Sequence, residues 1–242
     1  MNLQIVKDEI ELGRQAAAYV SDILAQNPQA TLVFPTGNTP LPMYRELVQL
    51  YSAGKISFKS ASLLEVDEYH GIPLQDPRNL FTWLESSLLS QVDFQPARLF
   101  RFDSAALDVE TETLRMEEAV RTQGGIDLLV LGLGPNGHIG FNEPGSDLNS
   151  PTRVVTLTSE SIASNARYWG GIDKVPAQGF TLGLGILRQA RHTILIVTGE
   201  KKAAILKQVL QGPITDQVPA TCLRNMANVT ILADEAAAGT AK

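Results

Sequence analysis

The stretch Gly132–Pro144, "GLGPNGHIGFNEP", places one histidine, His138, among glycines, with a carboxylate, Glu143, five residues further on. Histidine exchanges protons near neutral pH. A neighbouring carboxylate can orient the ring or share its proton. The glycines permit positive φ and let a ligand approach the backbone closely. A histidine satisfied inside a turn is the plainer alternative. The coincidence of a strand end ("IDLLVL"), a glycine-rich loop, a histidine and a carboxylate favours chemistry. His70 and His192 have no ligand spacing with His138, so no metal site is expected, and His70 alone reads as a surface residue.

Three further strand-end segments, and one arginine, Arg167, carry reactive types. In "EVDEYHG" (Glu65–Gly71) the carboxylates Glu65, Asp67 and Glu68 fall where a strand should end. A partly buried carboxylate there can act as a general base; taken singly, each is more commonly a solvated acidic turn. In "FPTGNTP" (Phe34–Pro40), Thr36, Gly37, Asn38 and Thr39 link a strand to a helix. Thr39 suits the N-cap and Pro40 the first helical position. Small residues at a helix N-terminus accommodate phosphate, although this loop alone is an ordinary capped turn and lacks the Walker A ending. Lys202 follows "IVTGE" in the first turn of a predicted helix. There it opposes the helix dipole by roughly 0.3–1 kcal/mol, a mild conflict beside Glu200, and a bound phosphate would remove it. Arg167 lies in "ESIASNARYWGGIDKVPAQGFT" (159–180), a segment of little strand character with a Gly-Gly pair, predicted to form a mobile flap. Together these residues point to acid/base chemistry on a small phosphorylated molecule. They do not choose the molecule.

The elements that must position them are legible as alternating patterns. Short apolar runs occur at 31–37, 60–66, 126–134, 153–158, 192–199 and 228–234. Near-continuous hydrophobicity predicts strands buried on both faces, hence a mostly parallel sheet. Helical periodicity fills 7–26, the stretch after Thr39, 105–123 and 200–211. Alternation of the two predicts a single-domain, three-layer α/β sandwich, doubly wound and Rossmann-like, over residues 1–242. In such sheets ligands bind beyond the carboxyl ends of the strands, where all four segments fall.

The totals narrow the partners. The chain has 242 residues and a formal net charge of -6. It should have no general attraction for nucleic acid or anionic membrane. An anion would need a local cluster of cations. Its one cysteine, Cys222, permits no intrachain disulfide or cysteine-based zinc site. The opening residues do not read as a signal peptide, and no apolar run reaches membrane-spanning length. A soluble, cytoplasmic protein is expected.

The set "PTGNTP", "VDEYHG", "GLGPNGHIGFNEPGSDL", "SNARYW" and "VTGEKKA", in this order, resembles the glucosamine-6-phosphate deaminase family over nearly the whole chain. "GHIGFNEP" is its most specific part. The related 6-phosphogluconolactonases share the glycine-rich loop but usually lack "FNEP". The resemblance implies cofactor-independent isomerisation and deamination of glucosamine 6-phosphate to fructose 6-phosphate and ammonia. It implies that Asp67 moves a proton between C2 and C1, and that His138, with Glu143, assists ring opening. Thr36–Thr39, Arg167 and Lys202 would hold the phosphate, and the flap would close over the sugar.

Departures from the family pattern carry their own expectations. Asn38 stands where many members have a second glycine, and asparagine tolerates left-handed backbone. Asn136, in the catalytic loop, stands where some members have aspartate. An amide would hold His138 protonated less well, leaving more of that role to Glu143. Hexameric members use an additional phosphate site; Ser146 and Arg153 occupy positions resembling part of it, but Val155 replaces a lysine. A monomer or small homo-oligomer without that activation is expected, not an allosteric hexamer. A galactosamine-6-phosphate deaminase, a 6-phosphogluconolactonase and a non-catalytic sugar-phosphate sensor are the competing readings.

Overall fold

The computed structural model describes residues 1–240. Seven strands form a parallel sheet: β1 (Asn2–Val6), β2 (Thr31–Phe34), β3 (Ser62–Glu65), β5 (Leu99–Phe100), β6 (Leu128–Gly132), β9 (His192–Val197) and β10 (Val229–Asp234), in the order β1-β10-β9-β6-β2-β3-β5. A second, antiparallel sheet of three strands has the order β4 (Asp67–Tyr69), β8 (Gln178–Thr181), β7 (Arg153–Thr156). The helices are α1 (Glu9–Gln26), α2 (Leu41–Ser52), α3 (Leu80–Ser87), α4 (Val109–Thr122), α5 (Ser159–Trp169), α6 (Leu184–Leu187) and α7 (Ala203–Gln211).

The near-continuous apolar runs resolve into two faces with period two, as the pleat requires. Leu32, Phe34, Leu63, Leu128, Val130, Ile194 and Ile196 pack with the buried faces of α1, α2 and α3. Val33, Leu64, Leu129, Leu131, Leu195 and Val197 pack on the opposite side with α4, α6 and α7. The expected three layers are therefore present, and the main sheet is wholly parallel.

Two expectations on strands are corrected. The run at 153–158 does form a strand, Arg153–Thr156, but it pairs antiparallel with β8 and lies outside the parallel sheet. Residues 159–180, read as having little strand character, end in a strand, Gln178–Thr181, which forms the centre of the small sheet, paired with both β4 and β7. Its sequence, "QGFT", is too short and too polar to signal a strand by itself. It is held by tertiary packing: Phe180 is fully buried and stacks on Phe102 with centroids 5.2 Å apart. Truncation of such a phenylalanine to alanine costs about 3–5 kcal/mol. The other face of the small sheet carries Tyr69, Phe141, Trp169 and Val175, which seat α5 above it. The small sheet thus fixes Asp67 on one strand and roofs the crevice with α5.

Strand ends and helix starts meet at the carboxyl edge of the parallel sheet. Asp8 caps α1 by accepting from the amides of Ile10 and Glu11. Thr158 caps α5 by accepting from Ser161, and α5 stops at Gly170, whose φ of 70° is left-handed. Among the described residues no helix is long and apolar enough to cross a membrane.

Candidate active site

A cavity of about 590 Å³ opens at the carboxyl ends of β2, β3 and β6, beneath α5. Thr36, Gly37, Asn38, Thr39, Asp67, His138, Arg167 and Lys202 all line it. Eight of the ten residues expected from the sequence are thus brought into one space. The other two, Asn136 and Glu143, lie behind its wall and support His138.

The loop after β2 is built differently from the sequence expectation. No side chain caps α2; Pro40 takes the cap position and already has helical φ and ψ of -79° and -9°. The Thr39 hydroxyl instead lies 3.5 Å from that of Thr198, at the end of β9, across the crevice. Asn38 does not adopt left-handed backbone. Gly37 takes that conformation, with φ of 92°, and Asn228 is the one described non-glycine residue with positive φ. The loop is anchored from below, where the buried Tyr44 of α2 donates its hydroxyl to the Pro35 carbonyl at 2.5 Å. The start of α2 offers few amides of its own, because Leu41 donates to the Asn38 carbonyl at 3.1 Å and Pro40 and Pro42 have none.

One glycine of the loop after β6 makes room for its histidine. A Cβ on Gly134 would overlap the imidazole ring of His138, so the ring lies against the backbone where any other residue would stand. Glycine here makes room for the imidazole, and not only for a ligand. Nδ1 of His138 sits 3.1 Å from the Ser161 hydroxyl and 3.4 Å from Oε2 of Glu143. That leaves Nε2 as the free ring nitrogen.

Glu143 is 5% exposed and heavily hydrogen-bonded. Its Oε2 accepts from Nδ2 of Asn136 at 2.9 Å and from the Thr158 hydroxyl at 3.1 Å. Burial alone would raise its pKa, but His138, Ser161 and Asn136 together hold it down to about 2. It is therefore an anion at neutral pH. Asn136 has a different place from the one expected of it. Its side chain donates to Glu143 and to the Thr158 hydroxyl at 3.2 Å and accepts from the backbone amide of His138 at 3.2 Å, and none of these contacts is with the imidazole. It positions the pair.

Asp67 opens β4 and is 7% exposed. Burial, reinforced by the charge of Glu68, pushes its pKa up to about 8. Lys202 stands in the short turn before α7 and donates from Nζ to the Leu133 carbonyl at 2.7 Å. Burial lowers its pKa from the usual lysine value. Arg167 stacks over the Tyr168 ring at 4.6 Å and donates to the hydroxyl of the same tyrosine at 2.6 Å.

Several lining residues were not anticipated: Lys201, Arg78, Tyr69, Trp83 and Trp169. Lys201 could have been found from its place beside Lys202. Tyr69 could have been found two residues after Asp67 on β4, whereas Arg78, Trp83 and Trp169 reach the cavity through the packing of α3 and α5. The Arg78 guanidinium lies 4.3 Å over the Trp169 ring and ties the loop before α3 to the end of α5. A second, shallower depression lies beyond this pair, lined in part by His70 and Lys174, and contains neither Asp67 nor His138. Among the described residues no cluster of histidine, cysteine, aspartate or glutamate is arranged to hold a metal ion.

The family model described as glucosamine-6-phosphate isomerases/6-phosphogluconolactonase matches residues 8–232. A glucosamine-6-phosphate deaminase of Mycolicibacterium smegmatis is 40% identical over 98% of this chain and 92% of its own. A solved structure of a monomeric glucosamine-6-phosphate deaminase superposes with a TM-score of 0.97, at 34% identity and with all of both chains covered. The 6-phosphogluconolactonase of Trypanosoma brucei superposes with a TM-score of 0.76 at 20% identity, over all of this chain and 98% of its own, which shows a shared fold alone. The chain is a member of the glucosamine-6-phosphate isomerase/6-phosphogluconolactonase family.

Proposed function

We propose that the protein is a glucosamine-6-phosphate deaminase that converts glucosamine 6-phosphate and water to fructose 6-phosphate and ammonia. The observation that carries this reading is the placement of a buried, proton-avid carboxyl, Asp67, in the same cavity as a histidine backed by an ionised glutamate. Two separate proton-transfer devices in one cavity suit a reaction with two separate proton movements, ring opening and C2-to-C1 transfer.

In this reading the phosphate lies against Thr36–Thr39 at the start of α2, with Arg167 and Lys202 supplying positive charge. His138 uses Nε2 to move a proton between the ring oxygen and the anomeric hydroxyl, and Glu143 stabilises the imidazolium that forms. The open chain presents an aldehyde at C1, which acidifies the C2 hydrogen. Asp67, as carboxylate, removes that proton to give an enolamine and returns it to C1. The resulting C2 imine adds water and expels ammonia. Because water enters as the C–N bond breaks, the net change is hydrolytic as well as isomerising, and the residues named suffice without a cofactor. Holding the phosphate remotely keeps C2 at reacting distance from Asp67, which replaces much of the entropic barrier.

Residues 159–180 act in this reading as the cover of a one-domain enzyme. Ser164, Asn165, Arg167, Tyr168 and Trp169 roof the cavity, and their closure would exclude water at the enolamine stage. The enzyme is proposed to act as a monomer in the cytoplasm. The decisive experiment is ammonia release from glucosamine 6-phosphate, with Asp67→Asn beside the wild type. Turnover by the wild type, reduced roughly 10²–10⁴-fold in the variant, is expected. Ammonia from galactosamine 6-phosphate alone, or lactone hydrolysis without ammonia, would replace this reading.

A further inference from the structure

Glu65, the last residue of β3, and Glu68, in β4, are both buried, at 2% and 1% exposure. Their hydrogen bonding is unequal. Glu68 accepts three backbone amides: Tyr69 at 2.7 Å and Leu80 at 3.0 Å on Oε1, and Phe81 at 3.1 Å on Oε2. Leu80 and Phe81 begin α3, so Glu68 sits at a helix N-terminus, where negative charge is favoured. Glu65 accepts one amide, that of Phe102, on Oε2 at 2.9 Å. Its Oε1 is buried and receives no donor from the described residues, yet Glu65 is within hydrogen-bonding reach of Glu68. A second carboxylate with a bare oxygen, buried beside the first, would be unfavourable on both counts. A carboxylic acid in the same place is satisfied, because its O–H has an acceptor.

We propose that Glu65 is a positioning residue that carries a proton on Oε1 and donates it in a hydrogen bond to Glu68, so that the pair presents a single negative charge beside Asp67. Burial and the neighbouring Glu68 hold the Glu65 carboxyl well above the usual range. Burial also raises Glu68, but its backbone amides and the bond from Glu65 pull it back. The charged groups facing Glu65 are Glu68, Asp67 and, from α4, Arg115. Arg115 is held by Glu112 at 2.7 Å, also senses Asp103, and keeps 47% of its side chain exposed, so it does not neutralise Glu65. Asp67 in turn senses the charge of Glu68. The device fixes α3 to β4 and leaves one charge to keep Asp67 proton-avid. This last consequence rests on Asp67 being the carbon base; the shared proton does not.

Infrared spectroscopy tests the proton without any assay of turnover. In an Asp67→Asn background at about pH 8, well above the ordinary glutamate range, a carbonyl band of a protonated carboxyl should persist. It should shift on ¹³C-glutamate labelling and vanish in Asp67→Asn/Glu65→Gln. Absence of any such band overturns the proposal, and the labelling shift reads the outcome even if the double variant does not fold. The pH profile of kcat/KM tests the consequence. Glu65→Gln keeps a donor to Glu68 and removes no charge, so the acidic limb set by Asp67 should stay in place. If Glu65 were ionised, the same substitution would delete a charge beside Asp67 and move the limb down by about one pH unit or more. If no ammonia is released at all, the function fails while the infrared result still decides the proton.

Discussion

Nδ1 of His138 lies 3.4 Å from Oε2 of Glu143, and the same ring occupies the space that a side chain at residue 134 would need. The loop is therefore shaped so that one imidazole nitrogen is backed by an anion while the other faces the cavity side of the ring without a protein partner among the described residues. Replacing Glu143 with glutamine keeps the shape and removes the charge. Glu143→Gln should lower kcat roughly 10²–10³-fold with little change in KM, because imidazolium stabilisation is a transition-state contribution. Steady-state kinetics with the cyclic substrate make the comparison; an unchanged kcat would remove Glu143 from the ring-opening step.

Asn136 yields a prediction of opposite sign from its sequence reading. Its amide donates to Glu143 at 2.9 Å. An aspartate there would exchange that donor for a second carboxylate at the same distance. Like charges so close cannot both ionise readily. Asn136→Asp should therefore raise the proton affinity of the pair and bring a new acidic limb into the kcat profile, without strengthening the hold on a protonated His138. A profile that instead broadens toward alkaline pH would favour direct contact between residue 136 and the ring.

The middle of the parallel sheet, helices α1, α2, α4 and α7 and eight of the cavity-lining residues could be read in the sequence because each has a local signature. Leu128–Leu131 alternates between two buried faces, and His138 stands alone among glycines. What could not be read depends on distant contacts. Strand β1, "NLQIV", has mostly exposed side chains and is defined by pairing with β10. Strand β8 is defined by Phe180 stacking on Phe102. Thr39 looks like a cap until Thr198, 159 residues away in sequence, competes for its hydroxyl. Ser161 has no motif of its own and becomes visible only when α5 brings it to His138.

Asp67 couples activity to stability. Its folded pKa of about 8 lies above the ordinary value of 3.8. The folded state thus keeps a proton that the unfolded chain releases, and this group costs stability progressively as pH rises from about 4 to about 8. Asp67→Asn, which cannot ionise, should raise the Tm at pH 7 to 8, and the gain should shrink toward pH 4. Calorimetry across that range gives the answer. In the wild type, kcat/KM should climb about tenfold per pH unit below the Asp67 pKa. Carboxyl ¹³C NMR, with the asparagine variant as blank, separates this titration from that of the substrate amine.

Arg167 and Lys202 are proposed to act on a remote, unreacting group, so their loss should appear first in KM. A hydrogen bond to a charged group contributes about 1.5–3 kcal/mol. Arg167→Ala and Lys202→Ala should each raise KM by roughly 10- to 100-fold, with kcat less affected. The effect of Lys202 should be the cleaner, because its ammonium already sits fixed on the Leu133 carbonyl. Inorganic phosphate as a competitive inhibitor gives an independent reading, and its inhibition constant should rise in both variants. An unchanged constant would move the phosphate elsewhere in the cavity.

Arg153 bears on regulation. One terminal nitrogen donates to Asn142 at 3.0 Å and Ser150 at 2.7 Å, and the other to Ser146 at 2.8 Å. Ser146 and Arg153, the two residues that resemble part of an additional phosphate site, therefore bond each other. Asn142 in turn donates to the Leu182 carbonyl and the Thr181 hydroxyl, so the guanidinium braces the turn that carries Glu143. Releasing Arg153 to an effector phosphate would require breaking this network, and Val155 offers no compensating charge. Kinetics should be hyperbolic and indifferent to N-acetylglucosamine 6-phosphate. Arg153→Ala should lower Tm and kcat together, through the turn, without creating or abolishing any response to that sugar. Sigmoidal kinetics relieved by the acetylated sugar, and lost in Arg153→Ala, would instead make this network a regulatory site.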